Sequence, residues 1–70
     1  MDRSNEVRRI ADRVIGVPTR AEETLVPNEY YLHTGCWKIT EQQFDELRKE
    51  MQVTEILVDG FYITLTVIYK

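Results

Sequence analysis

The stretch TEILVDGFYITLTVIYK, residues 54–70, decides the fold of this chain, because it holds two β-rich runs on either side of Asp59-Gly60. An Asp-Gly pair between alternating apolar runs predicts a β-hairpin closed by a type I′ turn, in which both turn residues take positive φ. A two-residue closure of this kind sets Val58 opposite Phe61. The chain is therefore predicted to end in a β-hairpin.

The two strands of this hairpin present one apolar face and one mixed face, because side chains alternate along a strand. The apolar face is predicted to pack against helices and carries Ile56, Val58, Phe61, Ile63, Leu65, Val67 and Tyr69. The mixed face carries Glu55, Leu57, Tyr62, Thr64, Thr66 and Ile68.

The final strand is longer than its hairpin partner, so it needs a second neighbour. An arm over 53–58 covers only its near half, and an uncovered apolar edge is a hazard that proteins avoid. The other β-type segment is the aromatic-rich run at 30–33, followed by a loop or by a second hairpin turning at Thr34-Gly35. We expect this run to pair with the final strand, which then lies between two parallel strands. A second copy of the chain is the alternative neighbour.

Two helices are predicted from periodicity and capping signals. Over 4–15 the apolar residues recur at helical spacing. Ser4 or Asn5 is the expected N-cap, and Gly16 is expected to end the helix in the left-handed conformation. Over 41–51, Thr40 and Gln43 form a capping box ahead of an apolar stripe. Residues 19–26 carry a weaker helical signal, because Thr19 and Glu22 have the spacing of a capping box. An irregular connector is the alternative.

These elements predict one domain over residues 1–70 of the α+β class, in the order α-β-α-β-β. Its sheet is predicted to be small and three-stranded, with the C-terminal hairpin packed against the helices. A chain of seventy residues has a thin stability margin, so tight packing or association with another chain is expected.

Composition excludes several classes of site. Cys36 is the only cysteine and His33 the only histidine, so neither a disulfide within the chain nor a closed zinc site is available. We expect no metal and no cofactor. No run of about 18 apolar residues is present to span a membrane, and the N-terminus lacks a signal-peptide core. A lone cysteine agrees with a reducing compartment, and a cytoplasmic location is expected.

Charge is distributed unevenly along the chain. The first twenty residues carry a net +2 and the rest a net −5. This asymmetry raises the alternative of a nucleic-acid-binding regulator that uses arginines of the N-terminal helix region. A sequence pI of about 5.0 argues against it, because phosphate-binding domains are usually basic. The residues of this alternative are Arg3, Arg9, Arg13 and Arg20.

A small enzyme is the third hypothesis. His33 and Cys36 stand three residues apart, and a cysteine beside a histidine base is a familiar nucleophile. A strand histidine and a buried thiol flanking a turn explain the same residues more simply. We therefore expect no enzymatic activity.

The mixed face of the hairpin gives the leading functional hypothesis. Exposed apolar patches usually bind something, and tyrosine and tryptophan are enriched in binding hot spots. A three-layer domain with both sheet faces buried is the alternative. We expect a small non-enzymatic, protein-binding regulatory module that docks on another protein or on a second copy of itself, resembling in composition the small regulators of bacteria and phages. The expected contact residues are Tyr62, Leu57, Ile68, Tyr30 and Trp37.

Overall fold

The computed structural model describes residues 2–35 and 38–69. Its elements confirm the predicted α+β class. In chain order they are α1 (Ser4–Ile15), β1 (Thr19–Glu23), β2 (Glu29–Thr34), α2 (Glu41–Glu50), β3 (Gln52–Asp59) and β4 (Tyr62–Ile68). Both predicted helices are present, with the expected bounds to within one residue.

The four strands form one sheet in the order β1-β2-β4-β3, and every neighbouring pair is antiparallel. The final strand therefore has a neighbour on each side within the chain. Leu65 at its centre lies opposite Leu32 of β2 and opposite Ile56 of β3. The expectation that the run at 30–33 covers the final strand is confirmed.

The predicted three-stranded sheet and the α-β-α-β-β order are wrong, because residues 19–23 form a strand. A hairpin joins β1 to β2, and Asn28 takes a positive φ of 66° just before β2. Within this hairpin Ala21 lies opposite Leu32. Asp12 Oδ1 accepts both the backbone N–H and the hydroxyl of Thr19, each at 2.7 Å. Thr19 is thus fixed to the last turn of α1 and caps no helix.

The turn of the C-terminal hairpin also differs from the prediction. Asp59 lies opposite Tyr62, so the two loop residues are Gly60 and Phe61. Only Gly60 takes a positive φ, of 59°, which is the pattern of a type II′ turn rather than type I′. Val58 consequently lies opposite Ile63 instead of Phe61. The pairing has moved by two residues, so each side chain keeps its predicted face.

Both helices lie on one side of the sheet, and the core forms between them and that side. The helix α1 packs on β1 and β2 and against α2. No described residue on the other side of the sheet is buried. The domain thus has two layers, and the three-layer alternative is wrong. The buried apolar residues are Val7, Ala11, Ile15, Tyr30, Leu32, Leu47, Met51, Ile63, Leu65 and Val67.

The first helix starts differently from the prediction. Neither Ser4 nor Asn5 is its N-cap, which is Arg3, without a capping hydrogen bond from its side chain. Instead the carboxylate of Asp2 accepts the backbone N–H of Ser4 at 2.9 Å, and this hydrogen bond lowers the pKa of Asp2. The C-terminal end follows the prediction, since Gly16 takes the left-handed conformation with φ of 83°.

The capping box at the start of α2 is confirmed. Thr40 Oγ1 accepts the backbone N–H of Gln43 at 3.1 Å, and Gln43 Oε1 accepts the backbone N–H of Thr40 at 2.8 Å. The same Gln43 side chain donates to the carbonyl of Ile15 at 3.2 Å. The cap therefore also joins the start of α2 to the end of α1.

Thr40→Ala should lower the free energy of unfolding by about 1 kcal/mol, because it removes the acceptor for the Gln43 N–H. Thr40→Ser keeps the hydroxyl and should lower the free energy of unfolding by only a few tenths of a kcal/mol. Urea denaturation followed by far-ultraviolet circular dichroism measures both variants. Equal losses in the two would show that the methyl group of Thr40, and not its hydroxyl, is what matters.

Gly60→Val should destabilise the protein by more than about 1 kcal/mol, because a β-branched residue resists positive φ. A Cβ at this position would meet no atom within 4 Å, so the loss would be conformational rather than steric. Gly35→Ala is the control, since Gly35 does not have a positive φ. A denaturation midpoint for Gly60→Val equal to that of the wild type would contradict the observed turn.

Candidate protein-binding surface

The helix layer does not reach the end of the C-terminal hairpin. On the helix side of the sheet, Ile63 and Leu65 of β4 are buried, but their partners on β3 are not. Ile56 is 46% exposed and Val58 is 64% exposed. Phe61 in the turn is 82% exposed. Near the turn, burial therefore stops at β4, and the half of β3 that leads into the turn extends beyond the helices.

The opposite side of the sheet is open at the same place. Leu57 is 57% exposed and Tyr62 is 59% exposed. One end of the hairpin thus presents apolar side chains on both sides of the sheet. We call this surface the hairpin end, and it consists of Ile56, Leu57, Val58, Phe61 and Tyr62.

The open face, which is the side of the sheet away from the helices, extends from the hairpin end. Three of the predicted contact residues, Leu57, Tyr62 and Ile68, lie on it. Tyr31 also lies on this face and is exposed, and it was not among the predicted contact residues. The remaining side chains of the open face are Arg20, Glu22, Glu29, His33, Gln52, Glu55, Asp59, Thr64 and Thr66.

The other two predicted contact residues are not part of this surface as described. Tyr30 points to the helix side and is only 1% exposed. Its hydroxyl accepts the backbone N–H of Arg3 at 2.9 Å, which explains how a buried phenol is satisfied. Tyr30 is therefore a core residue that anchors the N-terminal segment. Trp37 lies outside the described residues.

The strand β3 is an edge of the sheet, and its backbone polar groups alternate in direction. A two-residue turn places a hydrogen bond between the carbonyl of Asp59 and the N–H of Tyr62. Alternation along an antiparallel ladder then directs the N–H and C=O groups of Leu57 toward β4. The same groups of Ile56 and Val58 point away from the sheet. No strand in the part of the chain that the structure describes pairs with this edge of β3, so the edge offers free donors and acceptors beside apolar side chains.

Two carboxylates border this edge. Glu55 and Asp59 lie on the open face, two residues before and two residues after Leu57. Neither forms an ion pair with any residue in 2–35 or 38–69. A bulge at Thr54, whose hydroxyl donates to the carbonyl of Thr66 at 3.2 Å, separates this part of β3 from its beginning. The accessible part of the edge therefore runs from Glu55 to Asp59.

The sheet's other edge is protected in a different way. The strand β1 has five residues, and Arg20, Glu22 and Glu23 are all exposed. Short length and charged side chains are two devices that discourage an edge from pairing. In contrast, β3 has eight residues and three consecutive apolar ones. The two edges differ enough that only β3 offers an apolar pairing surface.

A shallow hollow of about 490 Å³ lies on the open face beside the hairpin end. Arg20, His33, Asp59 and Tyr62 contribute to its lining. His33 Nε2 lies 3.3 Å from a carboxylate oxygen of Glu22, so the imidazole is engaged across β1 and β2. The hollow gives the open face some relief and several polar groups for a partner.

The enzyme hypothesis gains no support from this arrangement. His33 is oriented by Glu22, but its proposed partner Cys36 lies outside the described residues, so the pair stays a prediction. Among residues 2–35 and 38–69, no group of three or more histidine, cysteine or carboxylate side chains could hold a metal ion.

Two of the four arginines in the nucleic-acid hypothesis are paired with carboxylates. Arg3 bonds to Glu6 at 3.2 Å, which raises its pKa above the ordinary value, and its guanidinium lies 4.3 Å from the ring centre of Tyr69. Arg13 lies 3.4 Å from Glu50 of α2. Both salt bridges place a carboxylate beside the positive charge that phosphate binding would use.

The remaining two arginines are on opposite sides of the protein. Arg9 is exposed on α1, in the helix layer, whereas Arg20 is exposed on the open face of the sheet. Since the sheet separates them, the four arginines do not form one basic patch. The structure thus places the predicted nucleic-acid residues apart.

Comparisons with known proteins identify no relative. The chain matches no family model, no curated protein and no solved structure. In the part of the chain that the structure describes, neither helix is long and apolar enough to cross a membrane. The function of this protein is therefore inferred from its own surface.

Proposed function

We propose that this chain is a small non-enzymatic module that binds another protein through the hairpin end and the adjoining open face. The observation that supports the proposal most is the exposure of apolar side chains on both sides of the β3–β4 hairpin, beyond the helix layer. Contiguous apolar surface on a small monomer usually marks an interaction site.

The size of the protein strengthens this proposal. A domain of seventy residues buries only about 60% of the surface its unfolded chain exposes, so each apolar side chain left out of the core is a real loss of stability. Three consecutive apolar residues, 56–58, are nevertheless exposed on one strand. A binding function explains why they are apolar, because burial against a partner recovers the lost contribution.

The composition of the surface also suits protein binding better than nucleic-acid binding. Tyr62 and Tyr31 are exposed on the open face, and tyrosine is among the residues enriched in binding hot spots. Glu55 and Asp59 border the same surface, and their negative charge opposes phosphate groups. These features favour a protein partner.

Site-specific photo-crosslinking in the source cells tests the proposal. A benzoyl-phenylalanine replacing Leu57 should give protein adducts that survive nuclease treatment. The same probe replacing Gln42, an exposed residue of α2 on the far side of the molecule from the open face, is the matched control and should give few. Equal adducts from both positions, or adducts that vanish with nuclease, would contradict the proposal.

A further inference from the structure

We propose that the free edge of β3 accepts an extended segment of another protein as an added antiparallel strand, and that this segment carries three apolar residues flanked by basic ones. The inference rests on the proposed protein-binding function and specifies its geometry and partner chemistry. Strand addition at an exposed sheet edge is a recurring mode of peptide recognition, in which backbone bonds give affinity and alternate side chains give specificity.

The backbone of β3 is arranged for this addition. The N–H and C=O groups of Ile56 and Val58 point away from β4, because the direction of these groups alternates along the ladder, and they form two donor–acceptor sets on the same edge. An antiparallel segment would exchange two hydrogen bonds with each of these residues. The residue of the segment opposite Leu57 would direct its own backbone groups outward.

The side chains of β3 define the chemistry of the segment, because directly opposite residues in an antiparallel pair share a face. On the helix side, Ile56 and Val58 require apolar partners. On the open face, Leu57 requires an apolar partner, and Glu55 and Asp59 on either side of it require cations. The complementary run is thus basic, apolar, apolar, apolar, basic.

A second copy of the chain fits this edge poorly. Antiparallel pairing of β3 with itself about a two-fold axis must be centred on one residue. The outward-pointing backbone groups belong to alternate residues, and only a register of this kind sets them opposite each other. A pairing centred on Leu57 sets Glu55 opposite Asp59 of the second copy, and does so twice. A pairing centred on Ile56 sets Glu55 opposite Leu57 of the second copy, so that a carboxylate faces an apolar side chain. Like charges directly opposite are destabilising, and charged residues at an edge discourage self-pairing.

The test uses a blocked synthetic peptide with the run Lys-Val-Tyr-Val-Lys, extended by Ser-Gly at both ends, and the isotope-labelled protein observed by NMR. This run is palindromic, so its side chains meet β3 identically in either strand direction. Titration should shift the amide signals of Ile56 and Val58 and slow their exchange with solvent. The matched peptide Glu-Val-Tyr-Val-Glu should bind at least about tenfold more weakly, since two attractive cross-strand pairs become repulsive.

Two controls separate charge from backbone pairing. In the double variant Glu55→Lys/Asp59→Lys, both substitutions lie at exposed positions, so the fold should persist, and the preference between the two peptides should reverse. N-methylation of the two valines removes the amides that face β3 and should abolish binding. N-methylation of the tyrosine, whose amide points outward, should leave binding within about threefold, because no ladder hydrogen bond is lost.

Several results would overturn the inference. These are equal binding of the two peptides, a double variant that does not reverse the preference, or N-methyl effects in the opposite order. Concentration-dependent shifts of the Ile56 and Val58 amides without peptide would assign the edge to a second copy. Cellular crosslinks from position 57 combined with no peptide binding would refute strand addition alone. Absence of those crosslinks would refute the proposed function.

Discussion

Leu65→Ala should lower the free energy of unfolding by about 3 kcal/mol, whereas Ile56→Ala should lower it by less than about 1 kcal/mol. The two residues lie directly opposite each other on the helix side of β4 and β3. Leu65 is fully buried, so its truncation leaves a cavity in the core, but Ile56 is 46% exposed and leaves none. Comparing the two losses of unfolding free energy therefore shows whether the helix layer covers β4 but not this part of β3.

Equilibrium urea denaturation gives both values. A domain of this length is expected to be stable by only about 4–10 kcal/mol, so Leu65→Ala is a large change. Leu65→Val, which should lose about 1 kcal/mol, keeps the comparison measurable if the alanine variant fails to fold. Similar losses in Leu65→Ala and Ile56→Ala would show that β3 is covered as fully as β4, and the hairpin end would then be core.

Asp12→Ala should have the next largest effect, a loss of about 2 kcal/mol, because hydrogen bonds to a charged acceptor contribute more than neutral ones. One carboxylate oxygen of Asp12 accepts the N–H and the hydroxyl of Thr19, and the other accepts from Arg8 at 3.1 Å. Removal of the carboxylate leaves the first residue of β1 without its connection to α1. In this variant we expect β1 to detach from the sheet before the rest of the protein unfolds.

Arg8→Ala is the control for this prediction. It removes only the partly exposed ion pair with Asp12, and such pairs contribute about 0–1 kcal/mol. A double-mutant cycle with Thr19→Val would isolate the hydroxyl bond. If Arg8→Ala cost as much as Asp12→Ala, the ion pair rather than the bonds to Thr19 would connect α1 to β1.

The sequence predicted the elements whose signals are local. Periodicity located both helices, the capping box located the start of α2, and alternation assigned the faces of β3 and β4. The strand β1 was missed because Thr19 and Glu22 have the spacing of a capping box, and nothing in that spacing reveals the bonds from Asp12. The turn type was missed because Asp59-Gly60 and Gly60-Phe61 are both two-residue loops with glycine in an acceptable place.

The candidate surface was predictable in part. Alternation placed Leu57, Tyr62 and Ile68 on the open face, where the structure shows them. It could not choose between Tyr30 and Tyr31, since neighbouring residues point to opposite faces and only the sheet order says which face the helices cover. The exposure of the helix side at the hairpin end depends on where the helices sit. Local sequence patterns do not predict this exposure, because it depends on tertiary packing.

Amide hydrogen exchange along β3 in the isolated chain tests most directly the claim that this edge is free. The amides of Leu57 and Asp59 face β4 and should exchange slowly, whereas those of Ile56 and Val58 should exchange close to the rate of unpaired backbone. NMR resolves the residues one by one, and dilution checks that the pattern is independent of concentration. Uniform protection of residues 56–59 would show that the edge of β3 is already paired and is therefore not free.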